Sequence, residues 1–478
     1  MTKILVIDEG TSSTRATIYN ESLERGQFCQ IEIPLLSPSP DIVEQDANLI
    51  FTKSLEMAKA AMNGEKIDAI GITNQRETTI LWDRVTGEPI HNALVWQDRR
   101  GADFCDALKQ NGKENLLTQK TGLLADPYFS GFKIRWLLQN IDGLRTRAQN
   151  GEILFGTVDC WLIWKLTGGK SHITDFSNAS RTAIFNIHTG DWDDELLAVF
   201  EIPREILPKV QASNSDFGYC EILGAKITGV LGDQQAALMG QNCIKAGEAK
   251  ITFGTGAFLM VQTEEKAQSS SNKMLTTIAS KINDKINYAI EGAVLNAGTA
   301  IKWLRDELEI IDNSGDSEAI AKLLDNNNGV YFVPAFTGLG APYWDANARG
   351  TICGIGRGTN KAHIIRAALE ASAYQTYDLL EAIKKDGIDL KILRIDGGMS
   401  ANNFFCQFLA DICNIKVERP KDLEMTAMGA AHTAITGLGN EICVTKLAKT
   451  IFIPKMDDES RKTNIDGWHR AIRAVLVN

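Results

Sequence analysis

Residues 3–20 read KILVIDEGTSSTRATIYN and contain two apolar segments joined by a polar loop, DEGTSSTR, at residues 8–15. The alternation within both segments predicts two antiparallel strands that form a hairpin. An ordinary hairpin turn needs only Gly, Asn or Asp at its special backbone positions, whereas this loop holds one glycine, four hydroxyl side chains and Arg15. Backbone N–H groups and hydroxyls gathered in one loop are typical of an anion site. A solvated turn would have the same composition, so the loop by itself leaves both interpretations open.

The segments that follow the hairpin extend it into an α/β unit. A third alternating strand, an amphipathic helix and a buried strand are predicted before about residue 73. A similar order begins at residues 248–263, which again read as strand, Gly-Thr loop and strand, and further strands and helices follow. This repetition predicts two related α/β domains with a cleft between them, residues 1–243 and residues 244–478.

Composition excludes several classes of protein. The 478 residues are 44% hydrophobic and 23% charged, which is typical of a globular protein with more than one domain. A net charge of −10 disfavours a surface that follows nucleic-acid phosphates, so we expect no nucleic-acid partner. The nine cysteines lie between Cys29 and Cys443 without a CxxC pair, which favours reduced thiols. No apolar run is long enough for a membrane span and the first strand leaves no room for a leader, so we expect a cytoplasmic protein.

Two familiar phosphate-binding motifs are incomplete in this sequence. Residues 168–171, GGKS, end like a P-loop, but Trp164 occupies the position of the first glycine of that motif. Residues 254–259, GTGAFL, lack the third glycine of a dinucleotide-binding fingerprint. Three Gly-containing loops remain: residues 8–15, residues 253–258 (FGTGAF) and residues 395–403 (IDGGMSANN).

In this order and at these separations, the three loops resemble the nucleotide site of the superfamily of sugar kinases, actin and the heat-shock ATPases. The resemblance implies that two hairpin loops hold the phosphates of ATP from opposite domains and that a third Gly-rich turn holds the adenosine. It also implies two duplicated ribonuclease H-like, actin-like ATPase domains around a central cleft.

A charged pair, Arg76 and Glu77, follows a predicted buried strand in residues 71–83, GITNQRETTILWD. An incidental ion pair on a surface turn would explain it and would contribute little energy. Alternatively, the pair could bind a polyol, because a hydroxyl both donates and accepts hydrogen bonds and would satisfy a guanidinium and a carboxylate together. The pair alone does not decide between these interpretations.

Nine blocks spread over nearly the whole chain resemble the FGGY carbohydrate kinase family, and in particular its members that phosphorylate glycerol. The blocks are GITNQRETT, NALVWQDRR, TGLLADPYFSGFKIRWLL, LFGTVDCWLIWKLT, TDFSNASRT, GDQQAAL, PAFTGLGAPYWD, ARGTICGIGRGTNKAHIIRAALE and RIDGGMSANNF. The resemblance implies the ATP-dependent phosphorylation of glycerol to sn-glycerol 3-phosphate, with Mg²⁺ as cofactor. It also leads us to expect a homo-oligomer, either a dimer or a tetramer.

The resemblance assigns roles residue by residue. The polyol would be bound by Arg76, Glu77, Trp96, Tyr128, Asp233, Gln234 and Phe258, and Asp233 would be the general base. The nucleotide would be bound by Thr11, Ser12, Ser13, Arg15, Thr255, Gly298, Lys302, Gly398 and Asn402. Asp8 would hold Mg²⁺ through water. From the sequence alone, Asp233 could equally cap the helix that follows it, and Trp96 and Phe258 could be ordinary core aromatics.

Three positions depart from the family pattern. Glu9 stands where a glutamine is usual, so we expect an additional negative charge near the triphosphate. Lys302 stands where bacterial members carry a glutamine, and its charge would partly offset that of Glu9. Residues 220–229, CEILGAKITG, are shorter than the loop through which some bacterial members bind fructose 1,6-bisphosphate, which argues against that form of inhibition.

Two other functions compete with this interpretation. Another FGGY kinase, specific for a different polyol or a pentulose, would share most of the motifs, although the pair Arg76 and Glu77 favours glycerol. A non-enzymatic, actin-like nucleotide-binding protein would share the three loops, but it would have no use for a base beside that pair.

Overall fold

The computed structural model describes residues 2–345, 347–440 and 448–476. The first half of the chain alternates strands and helices from the opening hairpin onward. Its strands are β1 (Lys3–Glu9), β2 (Ser13–Asn20), β3 (Arg25–Glu32), β4 (Leu36–Ser39), β5 (Ile42–Gln45), β6 (Ala69–Asn74), β7 (Ile80–Asp83), β8 (Ala93–Leu94), β9 (Ile153–Gly156), β10 (Ile173–Asp175), β11 (Phe185–Asn186), β12 (Asp191–Trp192), β13 (Lys209–Gln211), β14 (Gly218–Cys220) and β15 (Ala225–Gly232). Its helices are α1 (Ala47–Met62), α2 (Ala102–Gln110), α3 (Glu114–Thr121), α4 (Ser130–Asn140), α5 (Leu144–Gln149), α6 (Val158–Leu166), α7 (Phe176–Ala179), α8 (Asp194–Phe200) and α9 (Asp233–Gly240).

The second half repeats this alternation with longer helices. Its strands are β16 (Glu248–Phe253), β17 (Ala257–Glu264), β18 (Leu275–Ile282), β19 (Lys285–Val294), β20 (Tyr331–Val333), β21 (Thr351–Cys353), β22 (Ile392–Asp396), β23 (Lys416–Pro420) and β24 (Lys449–Phe452). Its helices are α10 (Gly298–Asp306), α11 (Ser317–Lys322), α12 (Lys361–Lys385), α13 (Asn403–Cys413), α14 (Met425–Gly437) and α15 (Asp458–Val475).

Two large mixed sheets share one strand plan, which confirms the predicted duplication. The first sheet has the order β14-β15-β6-β1-β2-β3, and the second has the order β24-β23-β22-β16-β17-β19-β18. In each sheet the first two strands form an antiparallel hairpin, and the next two strands of the core run parallel to the first one. The hairpin β1-β2 therefore corresponds to the hairpin β16-β17, as the order of elements along the chain predicts.

The parallel strands determine where the polar loops meet. Asn74 at the end of β6 pairs with Glu9 at the end of β1, and Gly232 at the end of β15 pairs with Asn74. Because parallel strands end at the same edge of a sheet, the segments that follow them lie side by side there. The first loop, Arg76 and Asp233 are therefore gathered at one edge.

Helix α14 of the second half packs against the first half, both on its sheet and on helix α9. Helix α14, from the second half, packs on the first sheet, where Ala430 and Ala434 share a core with Ile4 and Val6. It also crosses α9 closely, because a Cβ added at Gly240 would lie only 2.0 Å from the carbonyl oxygen of Met425. Glycine at this position is what permits the two backbones to approach.

The described residues add two observations about the whole chain. No helix within the described ranges has the length and apolar composition needed to cross a bilayer. Eight cysteines have free thiols, and the ninth, Cys443, lies outside the described residues.

Candidate active site

Two side chains from neighbouring segments hydrogen-bond the first hairpin loop, residues 10–13, and hold it in place. The amide of Gln45 donates to the carbonyl of Thr11 at 2.7 Å, and the indole N–H of Trp96 donates to the Thr11 hydroxyl at 2.9 Å. Ser12 is exposed at the tip of the loop. The loop is thus tied directly to one of the aromatic residues expected around the polyol.

A small pocket of about 40 Å³ lies behind this loop. We call it the small pocket, and its lining residues are Thr11, Arg76, Glu77, Trp96, Tyr128, Asp233, Gln234 and Phe258. All seven residues that the resemblance assigned to the polyol are therefore brought together, although they are spread over more than 180 positions of the chain.

The charged pair lies inside the protein, which makes the surface-turn interpretation wrong. Arg76 is 2% exposed and Glu77 is 1% exposed. Glu77 has a φ of 59°, in the left-handed region that is uncommon for a residue with a side chain. Backbone strain of this kind persists where the surrounding structure enforces it, and it is concentrated at functional sites.

The guanidinium of Arg76 is held by a carboxylate from the other half of the molecule. Its two terminal nitrogens donate to the two oxygens of Glu291, on β19, at 2.6 and 2.9 Å. Arg181 donates to the same carboxylate at 2.9 Å and to Glu77 at 2.7 Å. Two arginines and two glutamates thus form a closed network, and charge-assisted bidentate pairs of this type are strong and directional.

Burial and pairing with arginine shift the pKa values of the two carboxylates of this network in opposite directions. Burial raises the pKa of Glu291, but the guanidiniums of Arg181 and Arg76 outweigh it and bring the pKa down to about 2. Burial also raises the pKa of Glu77, and there the two arginines offset it only in part. Glu291 is therefore the fixed negative charge that keeps both arginines in place.

Asp233 is the first residue of α9, and the helix is capped by Gly232, so the capping interpretation of Asp233 is wrong. One carboxylate oxygen accepts from the adjacent N–H of Gln234 at 2.7 Å and lies 3.3 Å from Nε of Arg76. Burial raises the pKa of Asp233, against the opposing charges of Arg76 and Lys250. A carboxylate with a raised pKa that faces a pocket is a candidate proton acceptor.

Three aromatic rings form the walls of the small pocket. The ring centre of Trp96 lies 5.6 Å from that of Tyr128 and 6.0 Å from that of Phe258, both edge to face. All three rings are half-buried, so they are not ordinary core aromatics. The buried ammonium of Lys133 donates to the carbonyls of Pro127 and Tyr128 and fixes the segment that carries the tyrosine.

The second hairpin loop borders a wider cavity of about 510 Å³, which we call the wide pocket. Five of the predicted nucleotide residues line it: Thr255, Gly298, Lys302, Gly398 and Asn402. The other four predicted residues, Thr11, Ser12, Ser13 and Arg15, are not among its lining residues and belong to the first hairpin. The structure therefore places the two groups on opposite halves of the molecule.

Close backbone contacts shape the wide pocket. A Cβ added at Gly298 would lie 2.6 Å from the carbonyl oxygen of Gly254, and one added at Gly397 would lie 2.4 Å from that of Phe253. Gly397 also has a φ of 84°, which favours glycine. The side chain of Asn402 caps α13 by accepting from the N–H of Phe405 at 2.9 Å.

Asp8 lies at the base of the first hairpin loop and is 4% exposed. Burial raises its pKa to about 6, although Arg15, 3.4 Å away, opposes the shift. Within the described ranges, no group of three or more His, Cys, Asp or Glu side chains is arranged to hold a metal. A single carboxylate suits Mg²⁺, which usually keeps several waters and binds phosphate oxygens as its other ligands.

The structure does not support the additional negative charge that the sequence predicts at Glu9. Glu9 is completely buried, and burial raises its pKa to about 8, although hydrogen bonds from Thr14 and Ser54 oppose the shift. At neutral pH this carboxyl group is therefore mostly protonated and neutral. It resembles the usual glutamine in charge as well as in size.

Three charged residues complete the site and were missed by the sequence analysis: Arg181, Lys250 and Glu291. Each is a charged residue in an otherwise apolar or small-residue segment, and that isolation is the signal that could have identified them. Lys250 and Glu291 lie on central strands of the second sheet and are completely buried.

The chain is similar to known carbohydrate kinases over almost its whole length. The family model described as the N-terminal domain of the FGGY family of carbohydrate kinases matches residues 3–240, and the model of the C-terminal domain matches residues 249–438. The glycerol kinase of Shigella dysenteriae is 49% identical over 490 aligned positions that cover 99% of this chain and 98% of the relative. The glycerol kinase of Brevibacillus brevis is also 49% identical, with the same coverage.

Solved structures show the same similarity. The crystal structure of Plasmodium falciparum glycerol kinase with ADP superposes with a TM-score of 0.92 at 36% identity, covering 100% of this chain and 99% of that one. A gluconate kinase from Lactobacillus acidophilus superposes with a TM-score of 0.88 at 24% identity, covering 99% and 98%. The second similarity supports the fold alone.

Proposed function

The chain belongs to the FGGY family of carbohydrate kinases, and on that basis we propose that it transfers the γ-phosphoryl group of ATP to glycerol. The products are sn-glycerol 3-phosphate and ADP. The observation that carries the proposal is the small pocket, where an arginine, two carboxylates and an amide face three aromatic walls. Its volume of about 40 Å³ corresponds to roughly three water molecules, which is room for a small polyol.

The polar and apolar sides of the small pocket match the two sides of glycerol. Arg76 and Glu77 offer a donor and an acceptor to neighbouring hydroxyls, and Gln234 offers an amide. Trp96, Tyr128 and Phe258 would cover the carbon backbone. The network through Glu291 keeps the guanidinium of Arg76 in one orientation, so little side-chain freedom is lost when the polyol binds.

Asp233 is the proton acceptor in the proposed reaction. Its carboxylate takes the proton from the attacking terminal hydroxyl while that oxygen forms a bond to the γ-phosphorus and the bond to the β-phosphate oxygen breaks. Burial raises the pKa of this carboxylate, and the charge of Arg76, 3.3 Å away, opposes that shift and favours the ionised form. Burial makes this carboxylate a stronger base than one in water.

The two hairpin loops would hold the phosphates from opposite sides. Backbone N–H groups and hydroxyls of residues 11–13 and of Thr255 would face the phosphates, and Gly298, Lys302, Gly398 and Asn402 would surround the nucleoside. Mg²⁺, when bound near Asp8, would neutralise charge on the phosphate oxygens. When no Mg²⁺ is bound, Arg15 would compensate the charge of Asp8.

An acceptor panel tests the proposal. Release of ADP is measured with glycerol, dihydroxyacetone, xylulose and no acceptor, under the same concentrations of ATP and Mg²⁺. We expect the highest kcat/KM with glycerol and little ADP release without an acceptor. A preference for xylulose would favour another FGGY kinase, and ADP release that is independent of polyol would favour an actin-like ATPase.

Several finer expectations are part of the same proposal. We place the boundary between the two domains at residues 243 and 244, close to the gap between the two family models. We also propose a homo-oligomer, either a dimer or a tetramer, in the cytoplasm. Size-exclusion chromatography with light scattering would determine the oligomeric state.

A further inference from the structure

The ammonium of Lys250 is buried beside the small pocket, and its three N–H donors are all used. Lys250 lies on β16, three residues before the strand ends at Phe253 and the second hairpin loop begins, and it is completely buried. It donates to the side-chain oxygen of Gln234, to the hydroxyl of Thr252 at 3.0 Å and to the carbonyl of Phe258 at 3.4 Å. An ammonium has three donors and no acceptor, so none is left for a substrate.

Burying a lysine in this way is costly unless the charge has partners. The charges of the nearby carboxylates Asp396, Asp233 and Glu291 favour the ammonium form, whereas that of Arg76 disfavours it. Burial nevertheless lowers the pKa of Lys250 to about 8. The cost indicates that the position needs an ammonium, since an apolar side chain of similar length would fill the same space.

The contact with Gln234 determines how the amide of that residue is oriented. Only the amide oxygen can accept a hydrogen bond from an ammonium, so the amide nitrogen must face the other way. The Gln234 side chain also favours the ionised form of the Asp233 carboxylate and so lowers its pKa, as an N–H donor near that carboxylate would. The same side chain lines the small pocket.

We propose that Lys250 is a positioning residue that holds the Gln234 amide with its N–H groups toward Asp233 and the polyol, an inference that rests on the function proposed for the small pocket. Without the ammonium, the amide is free to turn and to present its oxygen to the carboxylate of Asp233 and to the hydroxyl it should bind. Lys250 itself touches neither substrate. Because its strand carries the second hairpin loop, it also connects the polyol site with the phosphate site.

The first test replaces Lys250 by an uncharged side chain of similar length, Lys250→Met. We expect the KM for glycerol to rise about 5- to 10-fold, the effect of one lost hydrogen bond to a polar group, and the KM for ATP to change less than about 2-fold. The melting temperature should fall, because methionine leaves the buried carboxylates near Lys250 without a compensating charge, so the ratio of the two KM values is the deciding measurement. Equal changes in both KM values would indicate a purely structural lysine and overturn the proposal.

Two further variants separate positioning from simple loss of charge. Lys250→Gln keeps an N–H donor for the Gln234 oxygen, so we expect a KM for glycerol within about 3-fold of the parent. It also keeps the proposal testable if methionine is poorly tolerated. Lys416→Met removes a lysine from the same sheet, at a position paired with Glu418 on the far side of β22, and should change neither KM. A Lys250→Gln variant as impaired as Lys250→Met would contradict the proposal.

A double-mutant cycle decides whether Lys250 acts through Gln234. If it does, Lys250→Met should raise the KM for glycerol by less than about 2-fold when it is added to Gln234→Leu, because the amide it orients is already absent. If the effects of the two substitutions on the KM for glycerol multiply in the double variant, Lys250 does not act through Gln234. The proposed function would remain intact. A parent protein that phosphorylates no glycerol would overturn both.

Discussion

The small pocket keeps its charges inside the protein, whereas the wide pocket is lined by glycines, hydroxyl side chains and apolar side chains, with Lys302 and Glu318 as its charged residues. Around the small pocket, Arg76, Arg181 and Glu291 are all at most 2% exposed, and both arginines donate hydrogen bonds to Glu291. The wide pocket contains Lys302, which is exposed, and glycines that let the backbone come close. A small neutral polyol has to be recognised by directional polar groups, whereas a triphosphate can be held by backbone N–H groups and by charge at a distance.

Two buried glutamates show how strongly the surroundings decide charge. Glu291, beside two guanidiniums, has a pKa lowered to about 2 despite its burial, whereas Glu9, beneath the first hairpin loop, has a pKa raised to about 8 by burial beside hydroxyls. Both side chains are completely buried. The same residue type is therefore a fixed anion beside the arginines and a neutral hydrogen-bonding group beneath the first hairpin loop.

The largest expected effect tests the chemistry of the small pocket through Asp233→Asn. The amide keeps the size of the carboxylate and can still accept the N–H of Gln234, but it cannot take the proton of the attacking hydroxyl. We expect kcat to fall by about 10²–10⁴-fold, with much smaller changes in the affinities for glycerol and ATP. Steady-state rates and glycerol binding by calorimetry measure the two quantities separately.

A matched control is Asp193→Asn, which changes the carboxylate that caps α8 in the same half of the chain. It should keep the parental kcat because asparagine caps helices about as well as aspartate. If Asp233→Asn also keeps the parental rate, Asp233 is not the base.

The second prediction removes the charge that the small pocket keeps buried. Arg76→Ala should weaken glycerol binding by about 1.5–3 kcal/mol, the usual value of hydrogen bonds to a charged group, and so raise the KM for glycerol by roughly 10- to 150-fold. The KM for ATP should change little, since the wide pocket does not include Arg76. Arg204→Ala, at a surface arginine paired with Asp191 and Asp194, serves as the control.

Arg76→Lys sharpens this result, because lysine keeps the charge but not the planar fork that engages both oxygens of Glu291. An intermediate KM is expected. If glycerol KM is unchanged in both variants, the buried network does not recognise the polyol.

The third prediction concerns the neutral carboxyl group of Glu9 beneath the first hairpin loop. An unfolded glutamate releases its proton near pH 4.5, whereas Glu9 in the folded protein keeps it up to about pH 8. The folded state binds the additional proton between these values, so stability is lost as pH rises through this window, by about 1.4 kcal/mol per pH unit. Glu9→Gln lacks this dependence and should gain stability relative to the parent between pH 6 and pH 8.

Urea denaturation of both proteins at pH 6 and pH 8 measures the difference. The kcat and KM values of the Glu9→Gln variant at pH 7 should stay within about 2-fold of the parent, since a neutral carboxyl group and an amide have the same charge. Parallel pH dependence in the two proteins would show that Glu9 is ionised when folded.

The smallest effect is expected in the wide pocket, from Lys302→Gln. An exposed charge interacts with a bound anion through solvent and contributes at most about 1 kcal/mol. We expect the KM for ATP to rise no more than about 5-fold and to approach the parental value at high salt. A change in the KM for glycerol would contradict the separation of the two pockets.

The comparison also shows which parts of the site could be read from the sequence. The glycine and hydroxyl loops were found directly, because a hairpin with Gly and Thr at its tip is a local pattern. Arg76 and Glu77 were found because two adjacent charges follow an apolar strand. In contrast, the sequence analysis predicted a charge at Glu9 that burial removes, and it left open whether Arg76 was on the surface.

The sequence by itself determined the two hairpins, the duplication, the three loops and the residues that resemble the family, since all of these depend on local pattern or on similarity along the chain. The tertiary structure alone decided that Arg76 pairs with Glu291, 215 positions away, that Lys250 holds Gln234, and that α14 packs on the first sheet. These contacts form where two halves dock, and the ionisation of their side chains depends on how much water remains around them. Neither the docking nor the exclusion of water is encoded in any short segment, because each depends on surfaces assembled from distant parts of the chain.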